Sequence, residues 1–206
     1  MMTAIAGEES LRSLLGEPTE LVRSKVTDRL NDLTRQFVER SPFLCLATSG
    51  ADGTCDVSPR GDPAGFVRIL DERTLLLPDR PGNRLADSLR NVLENPNVGL
   101  LFVVPGVSDT LRVNGQASIV TDPELLEPCA VEGKVPKLAL RIEIDQVYTH
   151  CSKAFLRAQL WDTERYVSRD ELPSPGELMC SVGADVDAET YDAERSERYA
   201  RREGFY

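Results

Sequence analysis

The chain has 206 residues, 41% of them hydrophobic and 28% charged, with 34 acidic against 24 basic side chains and a formal net charge of −10. This composition fits one ordinary globular domain with polar extensions, and its acidic balance argues against nucleic acid and acidic membranes as partners unless basic residues are gathered in one place. No run approaches the roughly 18 apolar residues of a membrane span, and the leading MMTAIAGEES lacks the basic-then-apolar order of a signal peptide, so a cytoplasmic protein is expected.

From Pro18 to Arg40 the positions Val22, Val26, Leu30, Leu33 and Phe37 follow helical spacing and predict one supporting helix. Residues 41–62, SPFLCLATSGADGTCDVSPRGD, read as a hairpin turning at Ala51-Asp52-Gly53; Cys55 and Val57 alternate with Asp56 and Ser58, and Ser58 shares a face with Arg60. GFVRIL and TLLLP form a second hairpin around Asp71-Glu72-Arg73, and Leu85, Leu89, Val92 and Leu93 mark a short helix ended by Asn95-Pro96. VGLLFVVPG, TLRVNGQASIVT and KLALRIEIDQVYTH read as three further strands, and Asp122-Pro123 as the cap and first position of a short helix interrupted by Pro128. From Thr163 onward the chain is polar and reads as an exposed helix or mobile tail in preference to a binding arm. The five cysteines are scattered, no C-x-x-C pair occurs and there is one histidine, so neither a metal site nor a disulfide framework is expected.

Strands that come mostly as hairpins predict a mainly antiparallel barrel with peripheral helices. The expected organisation is a helical extension over residues 1–40 packing on the barrel, the barrel over 41–162, and a polar extension over 163–206. Between the strand TLLLP and the helix starting at Leu85, Arg80 and Arg84 flank Pro81-Gly82-Asn83. With Asn83 as N-cap, the free N–H groups of the first turn and the forked guanidinium of Arg84 suit a phosphate, with Arg80 approaching from the other side on grounds of charge and proximity. The other reading is that both arginines pair with Asp79 and Asp87 as surface ion pairs.

The succession DVSPRGD, LLLPDRPGNR, a helix to NVLENP, NVGLLFVV and LRVNGQA resembles the FMN-binding split barrel of the pyridoxamine 5'-phosphate oxidase-like family, over about Ser41 to Asp162; HCSKAFLRAQLW is similar to a subgroup of that family without an assigned substrate. The resemblance implies a mainly β, α+β fold, an antiparallel Greek-key split barrel, with FMN as cofactor and a homodimer whose cofactor sites lie at the interface. It implies that Asn83 and Arg84 hold the phosphate, that Pro78 and Asp79 pass beside the flavin ring, and that Val57, Ser58 and Arg60 contact the ring edge and phosphate, although Ser58-Pro59 alters the family's usual basic and apolar alternation. It places Thr110 and Arg112 on the strand with a polar ring contact, and His150, Lys153 and Trp161 on a segment that, as a helix, reaches the other subunit's flavin. Packing at the interface is the plain alternative for Trp161, a structural hydrogen bond for His150, and solvation for Lys153.

The function expected is FMN-dependent oxidoreduction of a small molecule, with no residue standing out as a proton donor. A non-catalytic flavin carrier or redox sensor, and a barrel holding haem or a deazaflavin, are the alternatives; a lone histidine weakens haem. The basic pattern near a final Arg-Leu-x-Pro that marks true pyridoxamine phosphate oxidases is not found, so vitamin B6 oxidation is not expected.

Overall fold

A computed structural model describes residues 4–206, so the first three residues of the expected 1–40 extension lie outside the described residues. The strands are β1 (Phe43–Ser49), β2 (Cys55–Gly61), β3 (Arg68–Asp71), β4 (Thr74–Pro78), β5 (Asn97–Val103), β6 (Thr110–Val120) and β7 (Ala139–His150). They form one antiparallel sheet in the order β2-β1-β5-β6-β7-β4-β3, with the chain crossing from one edge to the other after β2 and returning after β4 to β5, beside β1. The fold is mainly β within α+β, the split barrel expected from the strand pattern and the resemblance.

Alternation decides which side of each strand is inside. In β1 and β5 every second residue is buried, and Leu44, Leu46, Leu100 and Phe102 meet Leu111 and Val113 of β6 and Ile142 and Val147 of β7 in a single core. Each such side chain, fully buried, contributes about 1.5–3 kcal/mol through apolar area removed from water. β4, TLLLP, is buried along its whole length because it runs inside the curl with neighbours on both sides. Gly115 lies at a bulge between β6 and β7, where a Cβ would fall 2.0 Å from the Glu143 carbonyl oxygen; only glycine permits that approach.

Helices α1 (Glu8–Leu15), α2 (Glu20–Ser24) and α3 (Asp32–Arg40) precede the sheet. The single helix expected over Pro18–Arg40 is therefore broken. Thr27 exchanges backbone hydrogen bonds with Val147 (3.0 and 2.7 Å), on the part of β7 that extends past the end of β4, and Asn31 starts a new helix by capping Leu33 and Thr34. Val22, Val26 and Leu33 are exposed, and Leu30, Phe37 and Val38 do the packing.

Helix α4 spans Asp87–Glu94, with Ser88 and Val92 buried on one face as i, i+4 spacing requires. Asp122 and Pro123 open α5 (Pro123–Leu126), which runs into a 3₁₀ turn containing Pro128. After β7 come α6 (Lys153–Ala158), α7 (Pro175–Ser181) and α8 (Ala188–Ala200). The last two pack as a hairpin: Gly176 lies against the backbone of Ala188 and donates its N–H to Asp192 at 2.9 Å. Among the described residues no helix is long and apolar enough to cross a membrane, and all five cysteines are free thiols.

Candidate cofactor site

β2 is an edge strand whose alternation separates two chemistries. Asp56, Ser58 and Arg60 stand opposite Thr48, Leu46 and Leu44 and so face the inside of the curl, while Val57 pairs with Ala47 on the outside, 65% exposed. Arg60 donates from Nη1 to Asp79 Oδ1 at 2.7 Å and from Nε to Ser58 Oγ at 3.2 Å. Ser58 Oγ lies 3.1 Å from Ser88 Oγ, and the Ser88 hydroxyl donates to Asp56 Oδ2 at 2.5 Å. Ser88 is a member of this network that the sequence reading missed; its signal was the four-residue spacing to Val92, which puts it on the buried face of α4. Pro78, buried at the end of β4, delivers Asp79 to the corner, and the Asp79 N–H is held by the Leu138 carbonyl at 3.1 Å.

The stretch from Pro81 to Asp87 is exposed. Asn83 is not the N-cap expected of it. Arg84 (φ 64°) and Ala86 (φ 57°) are both left-handed, so the helix cannot start until Asp87, and Ala86 takes the cap position. Asn83 Oδ1 instead accepts from Leu85 N at 3.0 Å and tightens the loop. Left-handed backbone at these two non-glycine residues costs of order 1–3 kcal/mol each. Arg84 is exposed and has no ion-pair partner among the described residues, and Asp87 pairs with Arg90 at 3.5 Å, so the surface pairing of Arg84 with Asp87 does not form.

Arg80 does not approach the turn. Its Nε donates to Asp62 Oδ2 at 2.6 Å and its Nη2 to the Cys129 carbonyl at 2.8 Å, because the Asp62 side chain is only 1% exposed and needs a cation. Hydrogen bonds thus join Ser58, Arg60 and Asp79 at the end of β4, Asn83 and Arg84 follow on the exposed loop, and the Arg80 guanidinium is engaged by Asp62 and Cys129.

A second group lies on the outer face, four strands away from Arg60, which stands level with Leu44, Phe102, Leu111 and Thr149; that is about 19 Å of sheet. Thr110 is paired with His150 and Arg112 with Tyr148. Arg112 Nη1 donates to Tyr148 Oη at 2.9 Å, and the rings of Tyr148 and His150 are 5.1 Å apart. Lys25 Nζ donates to the Thr149 carbonyl at 2.7 Å and stands 5.6 Å from the Tyr148 ring. His150 Nε2 is buried without a hydrogen-bond partner. Desolvation first, then the charges of Arg112 and Lys25, hold the His150 pKa below its ordinary 6.5, so the imidazole is neutral at pH 7. Tyr148 and Lys25 were also missed by the sequence reading; Tyr148 was marked by its i, i+2 relation to His150, Lys25 by nothing local.

His150 ends β7 and Trp161 follows α6, so the helix expected across His150–Trp161 is confined to Lys153–Ala158. Trp161 Nε1 donates to the Val107 carbonyl at 3.0 Å and its ring lies 5.8 Å from Phe155, which fastens the β5–β6 loop; Lys153 is exposed. Between β1, β5 and β6 the outer face carries a groove of about 350 Å³ lined by Ala47, Gly99, Asn114 and Asp145 among others.

What the first corner offers a phosphate dianion is an exposed guanidinium at Arg84, free of ion pairs among the described residues, and a second guanidinium at Arg60 that is paired with Asp79; the Ser58 and Ser88 hydroxyls are engaged within the network, the latter on Asp56. Inner and outer residue sets point to opposite sides of one sheet, so a single chain does not bring all of them to one ligand.

A family model described as Pyridoxamine 5'-phosphate oxidase matches residues 30–151, more than half of the chain. Among solved structures, the chain is similar to HupZ from Group A Streptococcus (17% identity, 58% of this chain and 93% of that one, TM-score 0.48). It is similar to a putative pyridoxamine 5'-phosphate oxidase from Lactobacillus delbrueckii (21%, 59% and 95%, TM-score 0.46) and to an FMN-binding protein from Syntrophomonas wolfei (15%, 69% and 96%, TM-score 0.44).

Proposed function

The chain belongs to the pyridoxamine 5'-phosphate oxidase family, and from that premise we propose that it binds FMN and carries out an FMN-dependent oxidoreduction of a small molecule as a homodimer. The observation that carries this reading is the corner at the end of β4, where Arg84 is presented without an ion-pair partner among the described residues, a few residues from the Arg60–Asp79 pair. Arg84 and the loop N–H groups bind the phosphate. Arg60 contributes when Asp79 turns aside, since its carboxylate otherwise neutralises the guanidinium.

Bound FMN supplies the reversible two-electron redox centre; the protein orients it and sets its electrostatic surroundings. The outer set, Arg112, Tyr148 and the neutral His150, faces away from the first corner, which fits a role toward the cofactor of a second copy. The exposed apolar side chains of Val57 and Phe43 and the small residues Ala47 and Gly99 give that face the character of a subunit contact. In this arrangement Arg112 donates to the ligand and the unpartnered His150 Nε2 gains a partner.

The test is the visible spectrum of the purified protein, followed by titration with FMN and by NADH or NADPH oxidation with added acceptor. Oxidised-flavin bands support the reading, and a colourless protein without affinity for FMN overturns it. Turnover with a nicotinamide separates an enzyme from a flavin carrier. A Soret band would instead favour the haem alternative, with the single histidine, His150, as the candidate axial ligand.

A further inference from the structure

The segment Arg201–Tyr206 returns to the barrel and ends on the residue from which the phosphate loop departs. Tyr206 donates its hydroxyl to Asp62 Oδ1 at 2.7 Å, while the other oxygen of the same buried carboxylate accepts from Arg80 Nε at 2.6 Å. The Arg80 guanidinium lies 5.3 Å from the centre of the Tyr206 ring. Arg202 fastens the segment further, through Glu132 at 3.0 Å and over the rings of Phe205 and Tyr206 at 5.4 and 5.7 Å. Asp62 follows directly after β2 and Arg80 directly after Asp79, so this clamp lies within two residues of both members of the Arg60–Asp79 pair. Beyond Arg80 the loop through Ala86 is exposed and turns twice through left-handed backbone. Arg80 is where its anchorage ends.

We propose that Tyr206 is a positioning residue for the cofactor corner. By holding Arg80 against Asp62 it fixes where the chain leaves β4, and hence where Arg84 and the loop N–H groups meet a phosphate; the inference rests on the flavin reading above. Arg80 then serves the ligand without touching it, and the segment 201–206 couples the last part of the fold to affinity at the corner.

FMN is titrated into the wild-type, Tyr206→Phe and Tyr206→Ala proteins, and amide hydrogen exchange over residues 79–86 is measured on the same samples. Tyr206→Ala is expected to speed exchange in that loop about tenfold or more and to weaken FMN binding about three- to tenfold with the bound-flavin spectrum unchanged. Tyr206→Phe, which keeps the ring over Arg80 and loses the hydroxyl, should move both quantities less. Arg80→Ala combined with Tyr206→Ala should bind no more weakly than Arg80→Ala alone, because both act through one contact. Unchanged affinity in Tyr206→Ala, whatever the exchange does, overturns the proposal, as do additive losses in the double variant. If the wild-type protein binds no FMN, the flavin reading fails first and the positioning role falls with it, a result seen before any variant is made.

Discussion

Arg60 and Asp79 meet at 2.7 Å although four strands separate β2 from β4 in the sheet order. A flat sheet would hold them far apart. Their ion pair therefore records how far the sheet has curled, and the Ser58–Ser88 contact ties the same edge strand β2 to α4. The proposed phosphate corner is a by-product of that closure.

Replacing Asp79 by Asn should separate its two roles. Arg60 loses its counter-charge, so FMN affinity is expected to rise several-fold, about 1 kcal/mol. The half-buried pair also contributes to closure, so Tm should fall by about 2–4 °C. Titration and thermal melting of the same variant check both. A fall in affinity would place Asp79 in direct contact with the ligand.

Arg84→Ala should weaken FMN binding by about 1.5–3 kcal/mol, the scale of a charge-assisted hydrogen bond. The fold should survive, since Arg84 is exposed and joins no ion pair among the described residues. Fluorescence titration and circular dichroism report the two parts. An unaltered dissociation constant would remove Arg84 from the site.

The single histidine gives a pH prediction with a definite sign. The folded pKa of His150 lies below 6.5, so as pH falls the unfolded chain takes up this proton before the folded one does. Stability from this group is complete above the unfolded value and declines as pH falls from 6.5 toward the folded pKa. His150→Gln should flatten Tm against pH in that window. Proton NMR should find the one imidazole titrating below 6.5, and a value at or above 6.5 would mean that Nε2 has a partner in solution.

Gly115→Ala should be among the most destabilising single-methyl changes, about 2–3 kcal/mol, because the added carbon meets the Glu143 carbonyl and the β6–β7 bulge must shift. Chemical denaturation measures the loss. A near-neutral result would mean that the bulge relaxes freely.

The strands and their faces were legible in the sequence because a period of two is local: Leu44, Leu46, Leu100 and Phe102 announce one face, Ser58 and Arg60 the other chemistry on β2. Turn residues set the hairpins. What stayed hidden depends on tertiary partners. The helix expected from Pro18 to Arg40 gives way to a bridge between Thr27 and Val147, which exists only because β7 outruns β4. Asn83 has the chemistry of an N-cap, yet the left-handed backbone at Arg84 and Ala86 moves the helix start, and nothing in their side chains foretells that conformation. Arg80 is close to Arg84 in sequence, and nearness alone suggests a shared task. Its actual partner Asp62 lies 18 residues back along the chain, and Tyr206, which closes the clamp, lies 144 residues from Asp62, beyond any local signal.

The alternation along β2 makes the preceding turn a sorting device. The Asp52 carboxylate receives the Thr54 amide and hydroxyl at 3.0 and 2.6 Å and so fixes the phase in which the strand begins. One residue inserted or deleted there would carry Arg60 out toward solvent and drive Val57 into the polar lining, inverting both surfaces at once.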